Sequence, residues 1–108
     1  MVGKVFKVIF SQRAQRRLNQ ITDFYEEVAS RAVARKVRIK VLDAADKLKL
    51  LPQSKPLLPG TEEVPFEVRY AKSYAYKLIF RIEKTADTVR ILDISHDAED
   101  PGKVIDNL

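Results

Sequence analysis

Apolar positions along the chain change their period twice, and those changes mark its elements. "KVFKVIF" (residues 4–10) is dense in β-branched and aromatic residues, with Val5 and Val8–Phe10 apolar, which predicts a strand. Ser11 follows directly as a helix N-cap. Ala14, Leu18, Ile21, Phe24 or Tyr25, and Val28 then recur at spacings of three and four, the stripe of an amphipathic helix. Its opposite face carries Arg13, Arg16, Arg17 and Asn19. Ser30 caps a second helix whose stripe runs through Val33, Val37, Val41, Ala44 or Ala45, Leu48 and Leu51 until Pro52 stops it. The short break at Ala29–Ser30 predicts a helical hairpin.

"PQSKPLLPGTEEVP" (52–65) reads as a proline-rich connector. Beyond it the period falls to two. "FEVRY" (66–70) alternates, with Phe66, Val68 and Tyr70 on one face and Glu67 and Arg69 on the other. "SYAYKLIFRIE" (73–83) places Tyr74, Tyr76, Leu78, Phe80 and Ile82 on one face, with Lys77 and Arg81 among those opposite. "KTAD" (84–87) is a turn, and "TVRILDIS" (88–95) the next strand. The tail from Pro101 is left open between loose chain and a short helix.

The order predicts an α+β domain spanning residues 1–108: a strand, a two-helix hairpin, then a three-stranded antiparallel meander. The helices pack on one face of the sheet, with the first strand inserted in it or added to it. Arg69, Lys77 and Arg81 are expected on the other face, with His96, the single histidine, just beyond the last strand.

Charge adds a direction to this layout. The net charge is +5, but residues 1–40 hold ten Lys and Arg against Asp23, Glu26 and Glu27, whereas the remainder holds a slight excess of acids. A positive N-terminal part favours an acidic protein or nucleic acid as partner, although an ordinary solvated helix face has the same pattern. Without cysteine the chain has no disulfide or thiolate metal site, and no metal or cofactor is expected. No apolar run approaches a membrane span, and the first residues lack a signal-peptide pattern, so a cytoplasmic protein is expected.

Four stretches carry a resemblance to the RelE/ParE superfamily of toxins from bacterial type II toxin–antitoxin systems, also labelled plasmid stabilisation proteins. "VIFSQRAQRRLNQI" resembles the family's opening strand, Ser cap and helix; "LKLLPQSKP" is similar to its Leu-x-x-x-Pro helix ending. "VRYAKSYAYKLIFRIE" resembles its arginine strand followed by a tyrosine-led strand, and "VRILDISHDAEDP" its last strand ending in His and Asp-Pro. The resemblance implies a small α+β toxin neutralised by a cognate antitoxin, acting either on DNA gyrase without nuclease chemistry (ParE-like) or as a ribosome-dependent mRNA endoribonuclease (RelE-like). In the latter case it assigns candidate catalytic roles to Arg69, Lys77, Arg81 and His96. Glu99 departs from the pattern, since many relatives have a basic residue there.

A metal-independent ribonuclease needs a base, an acid and cations around one phosphate. Histidine is the residue type suited to act as acid or base near neutral pH, and the three cations can meet phosphate. Yet Asp93, Asp97, Glu99 and Asp100 surround His96 in sequence and repel a polyanion. The cations also read as ordinary solubilising positions on a half-exposed strand, and Tyr70, Tyr74 and Tyr76 read as core at period two. Three functions follow: a ParE-type inhibitor, which the carboxylates favour; a RelE-type ribonuclease; and a non-toxic binding or regulatory member. The antitoxin is expected to be acidic and amphipathic, meeting Arg13, Arg16, Arg17, Arg35 and Lys36 in a toxin–antitoxin hetero-oligomer.

Overall fold

A computed structural model describes residues 4–97 of the chain; Glu99, Asp100 and the tail from Pro101 lie outside the described residues. The elements are β1 (Lys7–Phe10), α1 (Gln12–Val28), α2 (Arg31–Asp46), β2 (Arg69–Ser73), β3 (Tyr76–Glu83) and β4 (Thr88–His96), with 3-10 turns at Lys47–Lys49, Pro52–Ser54 and Lys84–Ala86. The α+β order is as expected. The sheet runs β1-β4-β3-β2, antiparallel except where β1 lies parallel to β4. The opening strand is thus added beside the last one, and the helical hairpin is the crossover between them.

Local chemistry sets the helix boundaries. Ser11 accepts a hydrogen bond from the Ala14 amide at 3.0 Å, and Ser30 accepts one from the Val33 amide at 3.1 Å. Ala14, Leu18 and Ile21 of α1 and Val37, Val41 and Ala45 of α2 pack with Leu48 on Leu78, Phe80, Val89, Ile91 and Ile94. Phe80, Ile91 and Ile94 are fully buried, each contributing about 2 kcal/mol of hydrophobic stabilisation. Among the described residues no helix is long and apolar enough to cross a membrane.

The stripes differ from the expected ones at their ends. Tyr25, not Phe24, packs on the core, and Val28 and Leu51 are exposed. On α2 the seam passes through Ala34, leaving Val33 partly exposed. From Val37 through Val41 and Ala45 to Leu48 the seam runs where the apolar spacing places it.

The meander is also shifted. Residues 66–68 are not strand: the Val68 carbonyl accepts from the Leu58 amide of the connector, and β2 starts at Arg69. The expected strand over 73–83 is cut by a two-residue hairpin loop, because Ser73 pairs with Tyr76 and Tyr74 takes a left-handed backbone (φ 56°). Tyr74 is therefore exposed, and only Tyr76 of the three tyrosines is a buried core residue. Leu58, Val68 and Ile79 form a second cluster with Val64, Phe66 and Tyr70, so the connector covers part of the sheet face opposite the helices.

One irregularity positions the site. Ile79 pairs with Asp93 but Phe80 with Ile91, so Leu92 is an extra residue, a β-bulge in β4. The bulge lets Ile91 and Ile94, three apart, both enter the helix-side core while Asp93 turns towards α1.

Candidate functional site

The strand register sorts the candidate residues by face. Tyr70 pairs with Ile79 and Lys72 with Lys77, while Arg81 pairs with Arg90. These residues line the face away from the helices, where each cation has a neighbour. The Lys77 ammonium lies 5.3 Å from the centre of the Tyr70 ring, and the Arg81 guanidinium lies 4.2 Å from that of Phe66. Arg90 Nε donates to Glu83 Oε1 at 2.9 Å. Arg81 Nε is buried with no hydrogen-bond partner among the described residues, which fits a guanidinium stacked by its face.

Arg69 does not join them. It pairs with Phe80, which belongs to the helix-side core, so the expectation that it shares a face with Lys77 and Arg81 is corrected by the register. Its guanidinium donates to the Lys55 carbonyl at 2.6 Å and to Glu67 at 3.4 Å, tying the connector to the start of β2.

His96 pairs with Tyr76, again on the helix side, their rings meeting edge to face at 5.3 Å. The Tyr76 hydroxyl donates to that of Tyr25 at 3.4 Å, linking the end of β4 to α1. Burial, and then the neighbouring Tyr25, raise the Tyr76 pKa well above the usual phenol value. The sheet therefore separates His96 from Lys77 and Arg81. Among the described residues no three His, Cys, Asp or Glu side chains gather as a metal site requires.

Of the carboxylates expected to repel phosphate, Asp93 and Asp97 lie among the described residues, and both have partners. Asp93 is 1% exposed; it accepts from Arg13 Nε at 3.2 Å and from the Ile94 amide, and Arg17 Nε lies 3.6 Å from its other oxygen. Asp97 lies 3.9 Å from Lys72. Arg13 and Arg17 thus serve α1–β4 docking, with Arg17 Nε also donating to the Ile94 carbonyl. Arg16, Arg35 and Lys36 are exposed on the helices. Sequence reasoning did not assign the Asp93 pairing or the Tyr25–Tyr76 contact. A lone carboxylate inside the apolar run "ILDIS" was the available signal, since a buried charge requires a partner.

Two solved structures share this architecture. The chromosomal ParDE toxin–antitoxin system from P. aeruginosa matches with a TM-score of 0.71 and 20% identity, over 85% of this chain and 96% of that one. The toxin–antitoxin complex RelBE2 from Mycobacterium tuberculosis matches with a TM-score of 0.63 and 22% identity, over 91% and 98%. No curated protein sequence matches the chain. At these identities the structural likeness speaks for the fold alone. The family profile described as ParE toxin of type II toxin–antitoxin system, parDE, matches residues 8–101, nearly the whole chain, and the chain belongs to that toxin family.

Proposed function

We propose that this protein is a ParE-type toxin that inhibits its target by binding it, DNA gyrase being the target in ParE-like relatives, and that a cognate antitoxin neutralises it. The observation that carries the reading is the separation of the candidate nuclease residues. His96 lies with Tyr76 on the helix side, Lys77 and Arg81 lie on the opposite face, and Arg69 is tied to the connector. In-line cleavage of RNA requires base, acid and cation around one phosphate, and this arrangement supports binding over catalysis.

The partners proposed are an acidic, amphipathic antitoxin and a cytoplasmic target. That solved relatives are toxin–antitoxin complexes supports the first. Arg16, Arg35 and Lys36, exposed on the helices, are the cations available to meet acidic side chains. Arg13 and Arg17 contribute only what their ion pairs with Asp93 leave exposed.

A second reading rests on one observation. Lys77 beside Tyr70 and Arg81 beside Phe66 interleave cations with rings, as surfaces that hold single-stranded nucleic acid do, which keeps a RelE-like ribonuclease in view. Controlled expression with and without the neighbouring reading frame tests the proposal. Growth arrest relieved by the neighbour, trapped gyrase–DNA complexes and intact transcripts support the inhibitor. Transcripts cut at ribosomal A sites support the ribonuclease, and absence of arrest a non-toxic regulatory member.

A further inference from the structure

Two hollows meet at the end of the sheet where Glu83 pairs with Thr88, opposite the end where Tyr76 pairs with His96. The length of β3 separates these ends, on the order of 20 Å at a strand rise of about 3.3 Å per residue. The larger hollow encloses about 390 Å³, within the range of small-ligand sites, and the smaller about 230 Å³. Phe6 and Ile82, half-buried at the margin of the helix-side core, line the larger one together with Leu51, and the smaller one adds Phe66. Gln53, Ile82 and Lys84 line both, so the two form one groove.

Charge is matched at both ends of this groove and unmatched between them. Lys4 lies 3.1 Å from Asp87 in the larger hollow, and Arg69 lies 3.4 Å from Glu67 in the smaller. Lys84, common to both, forms no ion pair among the described residues. The Gln53 carboxamide likewise makes no hydrogen bond among the described residues. One cation and one amide donor thus stand beside an apolar surface, the pattern of a site for an anion with an apolar body.

An exposed lysine or glutamine is common in isolation. Leu51 supplies the second observation. It adopts a left-handed backbone (φ 50°), which disfavours residues with a Cβ, and its side chain is 61% exposed, so core packing does not hold it there. A glycine would make the same turn without strain. The leucine instead completes the apolar lining of the groove, and strained positions of this kind gather at ligand sites. The backbone at this rim is already engaged: the Phe6 amide donates to the Lys49 carbonyl at 2.9 Å, and Val5 bridges Leu50. A ligand here is therefore held by side chains and not by a strand edge.

We infer that this groove binds a small organic carboxylate, its anionic group meeting Lys84 and Gln53 and its aromatic or branched apolar body lying on Phe6, Leu51 and Ile82. The site stands apart from the toxin reading, since it lies away from the arginine face of α1 and from His96.

2-Naphthoate is the probe, titrated into the full chain with backbone amide shifts followed by NMR, and the uncharged 2-naphthamide is its counterpart. Saturable shifts are expected at Phe6, Leu51, Gln53 and Lys84, with 2-naphthamide binding at least about fivefold more weakly. Lys84→Met is expected to weaken 2-naphthoate at least about fivefold, and Lys40→Met by less than about twofold. Leu51→Gly is expected to raise Tm while weakening binding at least about threefold, a split that a purely structural leucine does not give. Shifts scattered over the surface, equal binding of the two naphthalenes, or undiminished binding in Lys84→Met or Leu51→Gly overturns the site.

Discussion

Arg13 Nε donates to Asp93 Oδ2 at 3.2 Å, joining the first turn of α1 to a bulged strand 80 residues later. Asp93 is buried, whereas the arginine side chains that meet it keep part of their surface in solvent. The effect of removing either side is therefore unequal. Arg13→Ala/Arg17→Ala leaves a buried carboxylate without compensating charge and is expected to cost about 3–5 kcal/mol in urea unfolding. Asp93→Asn, which removes the charge, is expected to cost less. Equal losses would show that the ion pairs contribute only packing.

The same pairing changes how the helix arginines are to be tested. Reversing Arg13 or Arg17 weakens the fold itself. Arg16→Glu/Arg35→Glu/Lys36→Glu is expected to leave thermal unfolding unchanged while reducing antitoxin affinity by at least about fivefold at low salt. Calorimetric titration at two salt concentrations reads this, and unchanged affinity would remove these residues from the interface.

Tyr74 holds the β2–β3 loop in a left-handed conformation that favours glycine. Tyr74→Gly is expected to raise stability by up to about 1 kcal/mol, since an exposed ring is lost and backbone strain is relieved. A clear fall in Tm would mean that the ring's contact with Lys40 outweighs the strain.

Tyr76 titrates higher in the fold than in the unfolded chain, where its pKa is near 10.0, because burial and Tyr25 disfavour the phenolate. Above pH 10 the native state then binds more protons than the unfolded one, so this contribution is present below that pH and is lost as pH rises. Its slope reaches at most about 1.4 kcal/mol per pH unit. Tyr76→Phe is expected to flatten the alkaline decline of stability relative to the parent; denaturant midpoints that fall in parallel would contradict this.

Much of the fold was legible because period and punctuation agreed. Ser11 and Ser30 cap the helices they precede, Pro52 lies just past the 3-10 turn that ends α2, and the alternation of Leu78 and Phe80 marks their inward face. What was not legible came from geometry that departs from those periods. The loop at Tyr74 interrupts an unbroken alternation without Gly, Asn or Asp to signal it. The bulge at Leu92 shifts the phase of β4 and brings Asp93 to α1; the lone carboxylate in "ILDIS" signals that a partner is needed, but not that α1 supplies it. Register decided the rest: a strand start displaced from Phe66 to Arg69, together with the loop at Tyr74, puts Arg69 across the sheet from Lys77.

The central claim is that toxicity comes from binding and not from a nuclease centre built on the histidine and strand cations. Its most direct test is controlled expression of His96→Ala/Lys77→Ala/Arg81→Ala beside the parent chain, with growth, gyrase–DNA complexes and transcript ends measured in the same cultures. The account predicts growth arrest within about twofold of the parent, with gyrase trapped on DNA and transcripts intact in both. Loss of arrest in a variant that still folds and still binds its antitoxin, together with transcripts cut at ribosomal A sites in the parent, would contradict it.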